Sequence, residues 1–162
     1  MPSAARACRT WAAPRTVENF LRYVDAGLYT DGAFHRSVRL DNQPQSPVKI
    51  EVIQAGIAAE KRGFAPIALE RTRTTGLKHV NGTISMARSG PDSATSDFFF
   101  CIGDQTELDF GGKRNPDGQG FAAFGLTLRG LDVIRKIQQQ AVQGQTLRPP
   151  IRIRSIRRVE AP

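Results

Sequence analysis

Residues Phe98, Phe99 and Phe100 fall in one strand-length run, Ser96-Asp97-Phe98-Phe99-Phe100-Cys101. Successive side chains of an extended strand leave opposite faces, so Phe98 and Phe100 share one face while Asp97, Phe99 and Cys101 share the other. Aromatic surface on both faces needs cover on both sides, and the plain reading is a strand buried between two layers. Other runs of strand character are Ala33 to Val38, Val48 to Gln54, Thr83 to Arg88 and Phe121 to Leu126, separated by turn residues. With 162 residues, 40% of them hydrophobic, the chain has material for one domain with a sizeable core and too little for two.

Two helices flank these runs. Val17, Phe20, Leu21 and Val24 stand at i, i+3, i+4 and i+7, which predicts a helix from Val17 to Ala26 with Thr16 as its cap, Pro14 upstream and Gly27 as its left-handed stop. Leu131, Ile134 and Ile137 predict a second helix from Leu131 to Gln140, with Arg135, Lys136 and the glutamines facing solvent. Ile151 to Val159 alternates apolar and basic residues until the phase slips at Ser155, as a bulge in an edge or closing strand would make it. Asp41 to Pro47 and Gly111 to Gly120 read as polar connectors.

The net charge of +8 raises the question of an acidic partner, but the arginines are spread from Arg6 to Arg158 and those of the last segment have the period-two spacing of a wet strand face. Nucleic acid therefore ranks low as a partner, since no aromatic-plus-basic recognition motif accompanies the charge. Cys8 and Cys101 form no C-x-x-C pair and read as unpaired thiols. No phosphate loop, nucleophile elbow or metal-binding helix motif occurs. His35 and His79 lack ligand companions, so no metal and no cofactor is expected and each histidine reads as a structural hydrogen-bonding residue. No apolar run reaches the length of a membrane span and Met1 to Pro14 lacks the apolar stretch of a secretory signal, so the expectation is a soluble cytoplasmic chain.

The segment Asn81-Gly-Thr-Ile-Ser-Met-Ala-Arg-Ser-Gly-Pro-Asp-Ser-Ala-Thr-Ser-Asp-Phe-Phe-Phe-Cys101 resembles the central pattern of the cyclophilin-type peptidyl-prolyl cis/trans isomerases, with features of their bacterial subgroup. Thr16-Val-Glu-Asn-Phe-Leu, Phe34-His-Arg36, Val52-Ile-Gln54-Ala-Gly56, Glu107-Leu-Asp109 and Phe121-Ala-Ala-Phe-Gly125 continue the resemblance in the family's order, from about Pro14 to Val159. It implies a mainly β fold, a closed antiparallel eight-stranded barrel capped by two helices. Family members carry about a two-strand hairpin before this region. Here only Met1 to Ala12 precede it, without alternation, so the expected architecture is an isomerase domain at 14–160 lacking one or two N-terminal strands, behind an atypical segment at 1–13. A truncated or misassigned start is the preferred explanation, and a missing signal would make the periplasm the alternative location.

The resemblance also implies the site. Arg36 matches the catalytic arginine, Gln54 the glutamine that positions it, and Phe99 and Leu108 the pocket for the proline ring, with Val52 as a further wall. Ala87 and Arg88 match residues lying along the bound peptide. Asp97 stands where many members have glutamine, and a carboxylate there is expected to approach Arg36 and compete with substrate as an ion pair. Phe121 replaces a histidine and Glu107 a tryptophan, which implies weak cyclosporin binding. Residues Leu40 to Lys49 resemble a bacterial insertion beside the site. The implied activity is rotation of Xaa-Pro bonds in unfolded or flexible proline-containing polypeptides, assisting their folding, by a monomer. The alternative is a catalytically weak module that binds such peptides.

Overall fold

In the computed structural model, which describes residues 12–159, the first helix opens on Pro14. A proline ring presets helical φ, and its missing N–H costs nothing in a first turn, where no acceptor exists. Helix α1 (Pro14–Asp25) therefore starts three residues before the expected boundary, and Thr16 lies inside its first turn rather than capping it. The cap comes from far along the chain. The Glu70 carboxylate accepts from the Arg15 N–H (3.2 Å), the Thr16 N–H (2.8 Å) and the Thr16 hydroxyl (2.6 Å), placing a negative charge at the positive end of the helix. Gly27, at φ 64°, follows the helix as expected.

The strands are β1 (Ala33–Val38), β2 (Val52–Gly56), β3 (Thr83–Met86), β4 (Phe98–Cys101), β5 (Ala122–Leu126), β6 (Val142–Gln143) and β7 (Thr146–Arg152). A one-turn helix α2 (Thr72–Thr75) follows β2, and α3 (Leu131–Gln138) follows β5. The sheet is antiparallel with the order β5-β3-β4-β2-β1-β7-β6. The described residues form seven strands, as an eight-stranded architecture lacking one strand would, but the end strands β5 and β6 do not pair with each other, so among the described residues the sheet is not closed into a barrel. Residues 1–11, the greater part of the atypical N-terminal segment and the place of Cys8, lie outside the described residues.

Two boundaries moved for identifiable reasons. Residues 48–50 do not join β2 because side chains take up their backbone groups: Val48 O accepts from Ser46 Oγ and Arg114 Nη1, and Gln43 brackets Ile50 on both its N–H and its carbonyl. The last strand ends at Arg152 and begins earlier than expected, through a hairpin turn in which Gly144 has φ 63°. Pro149 and Pro150 are tolerated there because β6 is only two residues long and leaves that stretch of β7 without an outer neighbour. Beyond β7 the alternation runs only to Arg154: Ile153 is buried and Arg152 and Arg154 exposed, after which Ile156 is half-buried and Ser155, Arg157, Arg158 and Val159 are exposed, with Arg152 paired to Asp31 and Arg158 to Asp25.

The sheet divides the apolar side chains into two clusters. One face carries Ile53, Ala55, Ile84, Met86, Phe98, Phe100 and Phe124 against Val17, Phe20, Tyr23 and Val24 of α1 and Ile134 of α3. Phe98 meets Phe20, Tyr29 and Phe100 edge-on, with centroids at 5.3, 5.2 and 5.8 Å, and burial of each such ring is worth about 1.5–3 kcal/mol. The other face carries Val38, Ile50, Val52, Phe99, Cys101 and Leu108, with Ala87 and Phe121 partly buried against them. Gln138, expected at the surface of α3, is instead buried; its Nε2 donates to Val38 O (3.2 Å) and its carbonyl accepts from Ser37 Oγ (2.6 Å), tying α3 to β1.

Candidate active site

Cross-strand register builds the site. Arg36 on β1 stands opposite Gln54 on β2, Gln54 opposite Phe99 on β4, and Phe99 opposite Ser85 on β3. Directly opposed residues share a face, so these four form one row across the sheet. Simple alternation would put Phe34 beside Arg36, yet Phe34 packs into the helix-side core. A β-bulge resolves this: two β1 residues, His35 and Arg36, occupy one step between Ala55 and Gln54, which turns Arg36 to the other face.

Arg36, Gln54 and Phe99 of this row line a cleft of about 420 Å³. Its lining includes all nine residues singled out from the sequence: Arg36, Val52, Gln54, Ala87, Arg88, Asp97, Phe99, Leu108 and Phe121. Phe121 stands edge-on to Phe99, with centroids 5.4 Å apart and planes at 90°. Leu108 is fully buried at the end of a 3-10 turn (Thr106–Leu108), and its carbonyl accepts from the Phe121 N–H, so the two move together. Ile50, Ser89, Ser93, Thr95, Arg114 and Asn115 complete the lining and carried no signal of their own in the sequence.

Three of the five N–H groups of Arg36 are engaged. Nη1 donates to Gln54 Oε1 (3.2 Å), and Nε and Nη2 both donate to Gln145 Oε1 (3.0 and 2.7 Å). Gln145 was missed in the sequence; it lies in the β6–β7 turn and is brought to Arg36 only by the sheet. Its Nε2 donates to Asn42 O (3.1 Å) and its carbonyl accepts from the Ser37 N–H, so its own position is held at two points. Burial lowers the Arg36 pKa from its ordinary value, but a guanidinium stays charged.

Asp97 does not form the expected ion pair with Arg36. Its Oδ2 accepts from Gln54 Nε2 (3.0 Å) and meets His35 Nε2 at 3.1 Å, and its Oδ1 accepts from Ser96 Oγ (3.3 Å). Gln54 stands between the two charges, accepting from the arginine and donating to the carboxylate. Burial opposes ionisation of Asp97, but hydrogen bonds from His35 and Gln54 outweigh it and hold its pKa below the usual range. A Cβ at Gly56 would collide with the Asp97 carboxylate, so a larger residue there has to displace that side chain.

Arg88 walls the cleft with its side chain. Its Nη1 and Nη2 clasp Asp117 (2.9 and 3.0 Å), its Nε donates to Gly120 O (2.8 Å), and its Cζ lies 5.0 Å from the Phe121 ring centre. Glu107 lies outside the cleft lining, its Oε2 accepting from the Lys113 N–H (2.7 Å). His79 is a buried hydrogen-bonding residue, as expected: Nδ1 meets Asp109 Oδ1 at 2.8 Å and Nε2 meets Ser85 Oγ at 2.9 Å, under the floor of the cleft. Among the described residues no group of three His, Cys, Asp or Glu side chains could hold a metal, and no helix is long and apolar enough to cross a membrane. Cys101 is unpaired and buried, and that burial pushes its thiol pKa up.

A polar donor fixed beside an apolar floor on the outer face of a β-sheet is the arrangement that the sequence resemblance implied, and comparison with known proteins agrees. The family profile described as cyclophilin type peptidyl-prolyl cis-trans isomerase/CLD matches residues 8–158. The chain belongs to this family. Among bacterial cyclophilins, it is 39% identical over 127 residues to peptidyl-prolyl cis-trans isomerase cyp18 of Streptomyces antibioticus, covering 78% of this chain and 71% of that one. It is 35% identical to isomerase A of Dickeya dadantii (85% and 65% of the two chains) and 32% identical to isomerase B of Escherichia coli (78% and 72%). A solved cyclophilin type isomerase of Cryptosporidium parvum superposes with a TM-score of 0.74 at 20% identity, over 96% of this chain and 90% of that one, which shows the cyclophilin fold. A second structure of the same protein, in the presence of the dipeptide Ala-Pro, superposes with a TM-score of 0.68 at 18% identity, over 95% and 91% of the two chains.

Proposed function

We propose that the chain is a peptidyl-prolyl cis/trans isomerase acting on proline-containing polypeptides, with residues 14–160 as its isomerase domain. The observation that carries this reading is the clamped guanidinium of Arg36 at the edge of an apolar floor made by Val52, Phe99, Leu108 and Phe121. Amide resonance sets a rotation barrier of about 18–20 kcal/mol, and no bond is broken when the bond turns. What lowers the barrier is a donor that holds the twisted amide better than the planar one. In the twisted amide the nitrogen lone pair is no longer delocalised and can accept a hydrogen bond. Arg36 has two N–H groups, one on each Nη, that no described residue occupies. Gln54 and Gln145 fix their direction before substrate arrives, so little reorganisation is needed as the bond rotates. The apolar floor takes the proline ring, and the rest of the segment is left free to turn.

The reading is supported by the family and by the Ala-Pro dipeptide present with the Cryptosporidium parvum relative. The weaker-module alternative rests on Asp97 neutralising Arg36 or on an incomplete barrel; the intervening Gln54 speaks against the first, and the seven-stranded sheet leaves the second to the test. The test is cis/trans exchange in an Ala-Pro-Phe peptide followed by NMR. Arg36→Ala is expected to stay folded and to lose roughly 10²- to 10³-fold in rate, the scale of one preorganised electrostatic donor. A folded parent that does not accelerate exchange would leave a proline-binding module.

A further inference from the structure

A second guanidinium lines the same cleft. Arg114, in the connector between the Thr106–Leu108 turn and β5, directs its Nη1 at Gln43 Oε1 (2.8 Å), Ser46 Oγ (2.8 Å) and Val48 O (2.6 Å). All three acceptors are uncharged and all belong to the insertion beside the site. The side chain is thereby held in place while its charge is left uncompensated, and its Nε and Nη2 have no partner among the described residues. Arg36 is held in the same manner, by the neutral oxygens of Gln54 and Gln145. Of the other charged residues in the lining, Arg88 is neutralised by Asp117, and Asp97 keeps its charge while its oxygens are taken up by His35, Gln54 and Ser96, so the two arginines leave the cleft net positive. Burial, and then the positive charge of Arg36, lower the Arg114 pKa, as two like charges facing one cleft should. A cleft with a net positive charge over low-dielectric walls attracts negative charge.

We propose that this cleft selects prolyl segments that carry an acidic side chain close to the proline, and that Arg114 is the residue that reads it. The proposal rests on the isomerase reading above and names its substrate class. A carboxylate within a residue or two of the proline meets the free N–H groups of Arg114 while the ring sits on Phe99; a lysine there is repelled by both arginines.

The experiment compares Ala-Xaa-Ala-Pro-Phe and Ala-Ala-Pro-Phe-Xaa peptides, with Xaa as Ala, Glu or Lys, by NMR exchange at low and high salt. At low salt kcat/KM for the better-placed Glu peptide is expected to exceed that of its Lys counterpart roughly tenfold, attraction and repulsion each contributing on the scale of a partly screened ion pair. The ratio shrinks at high salt, where the screening length falls to about 3 Å at 1 M. In Arg114→Gln it falls towards one, and in Arg114→Lys it persists; a ratio taken within one variant cancels any general loss from a disturbed loop. If Arg114→Gln does not fold, the salt dependence of the parent and the Arg114→Lys ratio decide. Equal rates for Glu and Lys peptides in an active parent would overturn the proposal, and an unchanged ratio in Arg114→Gln would overturn the assignment to Arg114. A folded parent that accelerates none of the peptides would instead overturn the isomerase reading.

Discussion

Phe98 and Phe99 are neighbours in sequence, both almost fully buried, and they serve two different halves of the molecule. Phe98 enters the helix-side core, where aromatic rings meet aromatic rings and α1 and α3 exclude water. Phe99 enters the smaller cluster on the opposite face, where it has Phe121 at its edge, the His79 ring stacked at 6.1 Å and polar side chains around it. The first half contributes stability through buried area. The second leaves apolar surface open beside fixed donors, which costs stability and makes a binding site.

The largest effect that could break this contrast is on stability. Phe98→Ala is expected to cost about 3–5 kcal/mol in urea unfolding, because the surrounding rings cannot collapse into the void. Phe99→Ala should cost less, roughly 2 kcal/mol, since its void opens onto the cleft. Equal losses would mean that the cleft side is core like the other.

A smaller effect isolates positioning from packing. In Gln145→Ala the Arg36 guanidinium remains but two of its three engaged N–H groups lose their acceptor. The expected result is a roughly tenfold fall in kcat with KM and the urea midpoint nearly unchanged, less than for Arg36→Ala because the donor is loosened rather than removed. A fall in the midpoint with kcat preserved would make Gln145 a structural residue only.

The smallest effect concerns carboxylates, which the cleft side contains and the helix-side core lacks. Burial raises the Asp109 pKa, but hydrogen bonds from the His79 side chain and backbone more than offset this and hold it below the usual range. A pKa lowered on folding contributes stability that is fully present above the unfolded value, about 3.9, and is lost as pH falls through the folded one. Asp97 acts with the same sign. Asp109→Asn should therefore lower stability at neutral pH and flatten its decline below about pH 4. Parallel acid titrations of parent and variant would remove Asp109 from that account.

Local periodicity was sufficient for strand β1 at its observed bounds, and the resemblance carried by the ordered motifs was sufficient for the family and implied the nine residues that the structure brings into one cleft. Val17, Phe20 and Val24 declare a helix face by spacing alone. The cap of α1 did not show, since Glu70 reaches Thr16 across 54 positions of sequence. Nor did Gln145, which is 109 positions from Arg36. Alternation could not foresee the bulge at His35 that sends Phe34 and Arg36 to opposite faces, and residue identity could not say that Asp97 would be met by Gln54 and His35 instead of Arg36. The motifs of the sequence, through the resemblance they carry, thus implied what groups the site would contain. Their partners were decided by strand order and register, because a hydrogen bond depends on distance and angle in space, and separation along the chain sets neither.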